Sequence, residues 1–149
     1  MRTHRAFTPH KLPERAATRS IALFLLAIGG CATVDTAMVA NPGAEFSLPL
    51  GQTAALSGTG YRITFDRVTE DSRCPVDVVC VWAGDAKIQL TIQGSTAPAN
   101  IQIVSLTPPN TEVVSGNLKI RFVGLAPTPR SSEPSESRKY VARLVVGSP

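Results

Sequence analysis

Five carboxylates crowd into residues 66–85 of this chain: Asp66, Glu70, Asp71, Asp77 and Asp85. Paired carboxylates can serve as general acid and base or hold Ca²⁺. The spacing matches no calcium loop, because no Asp-x-Asp-x-Asp-Gly run occurs. Arg62, Arg67 and Arg73 stand among the acids, so ordinary ion pairs are the simpler account of them. Serines are plentiful, and Lys87, Lys119 and Lys139 are the lysines available to pair with one as a base, but no Gly-x-Ser-x-Gly nucleophile motif appears. Gly58-Thr59-Gly60 is too short to cradle a phosphate and reads as a turn. The two histidines, His4 and His10, both precede the apolar run at 21–28. If that part is removed, Ser-His and Cys-His catalysis, His-ligated zinc and histidine pH sensing go with it. No catalytic residue, metal site or cofactor is expected.

Residues 1–20 are polar and basic, and Ile21-Ala22-Leu23-Phe24-Leu25-Leu26-Ala27-Ile28 is apolar, with Gly29 and Gly30 after it. A charged region, a short apolar region and small residues make a signal peptide over residues 1–30. The apolar run falls short of the roughly 20 residues that a spanning helix needs. Ile28-Gly29-Gly30-Cys31 resembles the lipobox of bacterial lipoproteins. The resemblance implies cleavage before Cys31, a diacylglyceryl group on its thiol and attachment to a membrane through acyl chains. Ala32 rather than Asp follows the cysteine, which by the same resemblance implies the outer membrane of the cell envelope.

Removing residues 1–30 changes the charge. That segment holds Arg2, Arg5, Lys11, Arg15 and Arg19 against Glu14, out of 15 basic and 11 acidic residues in all. The remainder is balanced, so the pI near 9.3 belongs to the leader. A neutral domain lacks the general attraction to phosphate backbones on which nucleic-acid binding depends.

Residues 31–44 show no period and read as the lipidated cysteine and a tether. From residue 45 a β domain is expected. Phe46, Leu48 and Leu50 alternate with polar or turn residues, 53–56 form a short strand, and Tyr61, Ile63 and Phe65 alternate with Arg62, Thr64 and Asp66. The best hairpin pairs 78–82 with 86–92 through a Gly84-Asp85 turn. Its second strand sets Ala86, Ile88, Leu90 and Ile92 on one face. Further strands are expected at 101–106, 118–123 and 139–146. Residues 126–138, rich in Pro, Ser and Glu, read as a mobile loop. The fold class is all-β: a small antiparallel sandwich or barrel of about seven strands.

Of three cysteines, Cys74 and Cys80 remain once Cys31 is lipidated. Export places that pair in an oxidising compartment, where a disulfide is expected. Pro75 helps the chain fold back between them. In a strand, Cys80 and Trp82 would share a face, which makes Trp82 a core residue lying over the disulfide. Asp71-Ser72-Arg73-Cys74-Pro75, then Cys80, Trp82-Ala83-Gly84 and Ala86, resemble a pattern in small secreted or lipid-anchored bacterial proteins without an assigned activity. Tyr61-Arg62-Ile63-Thr64-Phe65 with Val68 fits the same group. This resemblance implies export and the disulfide and assigns no reaction.

The expected function is that of a non-enzymatic envelope lipoprotein, a disulfide-stabilised β domain that binds or supports another envelope protein or glycan. Arg73, Pro75 and Asp77 are the candidate binding residues. Two alternatives stand beside it: a protease inhibitor or similar binder presenting the constrained Cys74–Cys80 loop, and a carboxylate-based metal-binding or hydrolase site.

Overall fold

The alternation read from the sequence builds two sheets facing one another. The computed structural model describes residues 38–149; the signal peptide, Cys31 and residues 32–37 of the expected tether lie outside the described residues. Nine strands occur among those residues: β1 (Met38–Ala40), β2 (Glu45–Pro49), β3 (Thr53–Leu56), β4 (Arg62–Asp71), β5 (Ala86–Gln93), β6 (Asn100–Ser105), β7 (Glu112–Ser115), β8 (Leu118–Ala126) and β9 (Val141–Gly147). One sheet runs β1-β3-β4-β5-β6 and the other β2-β9-β8-β7. All pairings are antiparallel except β1 with β3. The result is the expected all-β sandwich.

Side chains on a strand alternate between faces, and here the apolar set of each strand falls on the inner face. Ala86, Ile88, Leu90 and Ile92 of β5 are buried, while Lys87, Gln89 and Thr91 between them are half-exposed. Phe65 of β4 pairs with Leu90, and Ile63 with Ile92. From the opposite sheet, Phe122 pairs with Leu144 and Ile120 with Val146, completing one hydrophobic core.

Three expectations change. Met38–Ala40, placed in the tether, is an edge strand whose Ala40 is buried against the core, so the domain starts before residue 45. The hairpin of 78–82 with 86–92 does not form. β4 continues to Asp71, which pairs with Ala86, and β6 covers the other side of β5 from Lys87 to Ile92. A strand has two edges, and both edges of β5 are taken. Residues 78–82 therefore have no ladder to join and lie in the irregular connection between β4 and β5. The segment 126–138 connects β8 to β9 and includes a 3₁₀ turn, Ser135–Ser137. Instead of standing free, it is hydrogen-bonded to the β4–β5 connection, as described next.

Candidate functional site

The β4–β5 connection, residues 72–85, starts as a continuation of the sheet. The Ser72 N–H donates to the Asp85 carbonyl at 2.8 Å and the Cys74 N–H to the Ala83 carbonyl at 3.1 Å. Gly84 makes this narrow neck. Its φ is +69°, and a Cβ there would stand 1.8 Å from the Ser72 carbonyl oxygen, so only glycine fits. Beyond the neck, Cys74 and Cys80 are joined in a disulfide with Cα atoms 5.9 Å apart. Closing so small a ring removes unfolded-chain entropy equivalent to about 2–2.5 kcal/mol.

Polar contacts on the inner side of the loop hold it against residues 126–138. Arg73 grips Asp71 with two parallel hydrogen bonds, Nε to Oδ1 at 2.6 Å and Nη2 to Oδ2 at 2.9 Å. It also donates to the carbonyls of Leu125 and, at 2.9 Å, Pro127. Arg138 donates from Nη1 to Asp71 Oδ2 at 3.2 Å and from Nη2 to the Glu133 carbonyl at 2.7 Å. The Tyr140 hydroxyl donates to Asp71 Oδ2 at 3.0 Å. Higher up, the Val76 N–H reaches the Pro129 carbonyl at 3.0 Å. Asp77 accepts from the Ser131 N–H at 2.9 Å and from its hydroxyl at 2.6 Å.

Asp71 is the hub of this clamp, with its side chain only 3% exposed. Burial pushes its carboxyl upward, but hydrogen bonds from Arg73 and Tyr140 and the Arg73 charge outweigh that, and it is held below the usual carboxylate range. Tyr140 moves the other way: burial and the neighbouring Asp71 raise it above an ordinary phenol, against the opposing hydrogen bond from Arg138. A carboxylate held in its charged form is poorly matched to proton transfer near neutrality, where a general acid works best with a raised value.

The remaining acids are also engaged. Glu70 pairs with Lys87 at 2.5 Å, and Asp66 accepts from Thr91 Oγ1 at 2.8 Å. Asp85 Oδ1 accepts the backbone N–H groups of Ala86, Leu106 and Thr107 at 2.8–3.1 Å. Among the described residues no three His, Cys, Asp or Glu side chains gather as a metal-holding group.

The candidate binding residues therefore separate from the surface they were meant to form. Arg73 is turned inward, its side chain 13% exposed and bound to Asp71 and two carbonyls. Pro75 is half-buried. Asp77 is exposed, but both its oxygens accept from Ser131. What faces outward is apolar: Val76, Val78, Val79, Val81 and Trp82, with Val79 fully exposed and Trp82 82% exposed. This overturns the placement of Trp82 in the core over the disulfide. That placement assumed a strand at 78–82, and with no strand there Cys80 and Trp82 share no face of the sheet.

The signal for this surface was present in the sequence as Val76-x-Val78-Val79-x-Val81-Trp82, apolar residues confined between Pro75 and Gly84 around a cysteine pair. Its composition is that of a strand, which is why the sequence alone suggests one at 78–82. No protein-family profile, curated protein or solved structure matches the chain.

Proposed function

We propose that this chain is an envelope lipoprotein of the outer membrane with no catalytic step of its own. Its β domain binds another envelope component through the outer face of the Cys74–Cys80 loop. The observation that carries the reading is the exposure of four valines and the only tryptophan on one disulfide-closed, hydrogen-bonded loop. Fully covering side chains of this size contributes roughly 1.5–3 kcal/mol each, so leaving them together in water forgoes stability that the fold could otherwise use. Clustered exposed apolar groups of this kind mark interaction surfaces. The disulfide, the Ser131 contacts and the neck at Gly84 limit the ordering cost when a partner covers them. The lipobox supports attachment through Cys31.

Photo-crosslinking in producing cells tests both parts. A photoreactive residue at Val79 or Val81 should yield adducts with an envelope component, protein or lipid, and one at Ser95, exposed beyond the far end of β5, should not. Equal labelling from Ser95, or none from the loop, removes the loop from the reading. The Cys31→Ala chain should accumulate as an unprocessed precursor without lipid; normal processing of that variant removes the anchor.

A further inference from the structure

The sheet edges of this fold differ in how they are protected. β2 carries Glu45 and Pro49 and β7 carries Glu112, residues that blunt an edge against pairing with another chain, and β1 is only 3 residues long. β6, Asn100–Ser105, is longer than any of these and carries neither a charge nor a proline. No Asp, Glu, Lys or Arg occurs anywhere from Ile88 to Thr111. Ile101 and Ile103 are more than half exposed on its outer face.

Hydrogen-bond parity shows which backbone groups β6 leaves open. In an antiparallel sheet, successive residues turn their N–H and C=O groups alternately to one neighbour and to the other. The Leu106 N–H donates to the Ala86 carbonyl at 3.0 Å, on the β5 side. Val104, Gln102 and Asn100 therefore bond to Ile88, Leu90 and Ile92, and the residues between them turn away from β5. At Ser105 the outward N–H donates to the Asn110 carbonyl at 2.8 Å, so the loop after β6 closes the edge there. Ile101 and Ile103 have no such backbone partner among the described residues. The open stretch runs from Asn100, where the strand starts, to Val104, and Gln102 is its centre.

A second copy of β6 fits this stretch. Laid antiparallel about a two-fold axis at Gln102, Ile101 of each chain stands opposite Ile103 of the other. Both are hydrogen-bonded pairs, so every open N–H and C=O of these isoleucines is satisfied. The isoleucine side chains gather on the outer face, and Asn100 opposite Val104 ends the ladder just short of the position that Asn110 holds. Sliding the register by two residues sets an isoleucine opposite Ser105, whose N–H is taken, or opposite Ala99, outside the strand. With no charge on the edge or its flanking loops, a copy meets no like-charge repulsion.

We infer that two copies of this chain pair edge to edge through β6, antiparallel across Gln102, joining their five-stranded sheets into one. This surface is separate from the Cys74–Cys80 loop and does not rest on the lipid anchor. So short a ladder buries little area, which makes the dimer one that dissociates on dilution.

The test uses the full protein extracted from producing cells in density-matched detergent, with sedimentation equilibrium reading its mass. The wild type should be a dimer at high concentration and a monomer when dilute. Ile101→Lys with Ile103→Lys sets like charges opposite one another and should be monomeric throughout. Ile101→Lys with Ile103→Glu sets opposite charges across the two-fold axis and should restore a dimer, one that salt weakens. Both positions are exposed, so these variants should melt with the wild type. Gln102→Cys stands opposite itself at a non-hydrogen-bonded pair, with Cα atoms about 4.5 Å apart. Under mild oxidation it should join two differently tagged copies by a disulfide that the wild type does not form. If that half-buried change disturbs the fold, the charge variants still decide. A wild type that stays monomeric, a double-lysine variant that still dimerises, or a lysine–glutamate variant no tighter than the double-lysine one each overturns the pairing. A folded Gln102→Cys chain that stays unlinked, or links to a different protein, overturns it too.

Discussion

Two neighbouring stretches of this chain have nearly the same composition and opposite fates. In β5, Ala86, Ile88, Leu90 and Ile92 are buried. A few residues earlier, Val76, Val78, Val79, Val81 and Trp82 are in water. Hydrophobicity does not distinguish them. Backbone pairing does: β5 has a strand on each side, whereas 76–82 lies past the end of β4 at Asp71 and beyond a glycine neck, with Val76, Val78 and Val79 inside the disulfide ring and Val81 and Trp82 just after it. The hydrophobic effect is non-directional, so which apolar groups are covered is decided by which backbone segments find a ladder. A loop held out of the sheet by covalent and polar contacts keeps apolar groups available for something else to cover.

The sharpest way to break this arrangement is at the junction of the two stretches. Asp71 ends β4, pairs with Ala86 at the start of β5, and is gripped by Arg73 below the loop. Asp71→Ala would leave the arginines Arg73 and Arg138, the latter with a side chain 7% exposed, without their shared carboxylate. Removing one partner of a buried charged network costs about 3–5 kcal/mol, and a thermal melt should show Tm lower by roughly 10 °C or more. The pH dependence has a definite sign. A carboxyl whose folded value lies below its unfolded value of about 3.9 contributes fully above that value, and the contribution is lost as pH falls through the lower, folded value. The wild type should therefore lose this part of its stability below about pH 4, and the variant should show a flatter profile there. Equal acid sensitivity in the two proteins would show that Asp71 does not carry the clamp.

The next effect lies within β5. Leu90 is fully buried opposite Phe65. Leu90→Ala removes packed methyl groups and leaves a cavity, a loss of about 2–5 kcal/mol. Denaturant unfolding should register it as a lower midpoint with little change in slope. A loss below about 1 kcal/mol would mean that the facing sheets collapse onto the vacancy, and that the core is less rigidly packed than its alternation suggests.

What the sequence disclosed and concealed follows the same division. β2, β3, β5, β8 and β9 were legible because period-two alternation survives wherever a strand has one covered face. The end of β4 was not. Register shifts between Phe65 and Arg67 and between Val68 and Glu70 interrupt the alternation, so the period stops near Phe65 while the strand runs on to Asp71. β1 and β7 escaped notice because they are edge strands of three and four residues. The disulfide was legible from the cysteine count and spacing. The clamp was half legible: Asp71 and Arg73 are two residues apart, but Arg138 lies 67 positions from Asp71, inside a segment whose composition suggested only mobility. Its anchors are largely backbone carbonyls and a serine, which composition does not reveal. Val78, Val79, Val81 and Trp82 suggest a strand because residue type reports hydrophobicity, whereas the occupancy of both edges of β5 is a property of the whole sheet.

The smallest expected effect is the most informative. Had Trp82 filled the core, Trp82→Ala would cost about 3–5 kcal/mol. With the indole 82% exposed and outside the hydrophobic core, the truncation should fall within the roughly ±0.5 kcal/mol of ordinary surface changes. A thermal melt of Trp82→Ala beside Leu90→Ala compares the two stretches directly. Both changes replace a large apolar residue, and only the one in β5 should move Tm by several degrees. The truncation at Trp82 should instead reduce contact with whatever covers the loop, so the same variant should give weaker photo-crosslinking from Val79 at undiminished stability. A large fall in Tm for Trp82→Ala would return the indole to the interior and remove the surface from which the proposed function starts. An unchanged Tm together with unchanged crosslinking would leave the indole outside but show that the valines alone make the contact.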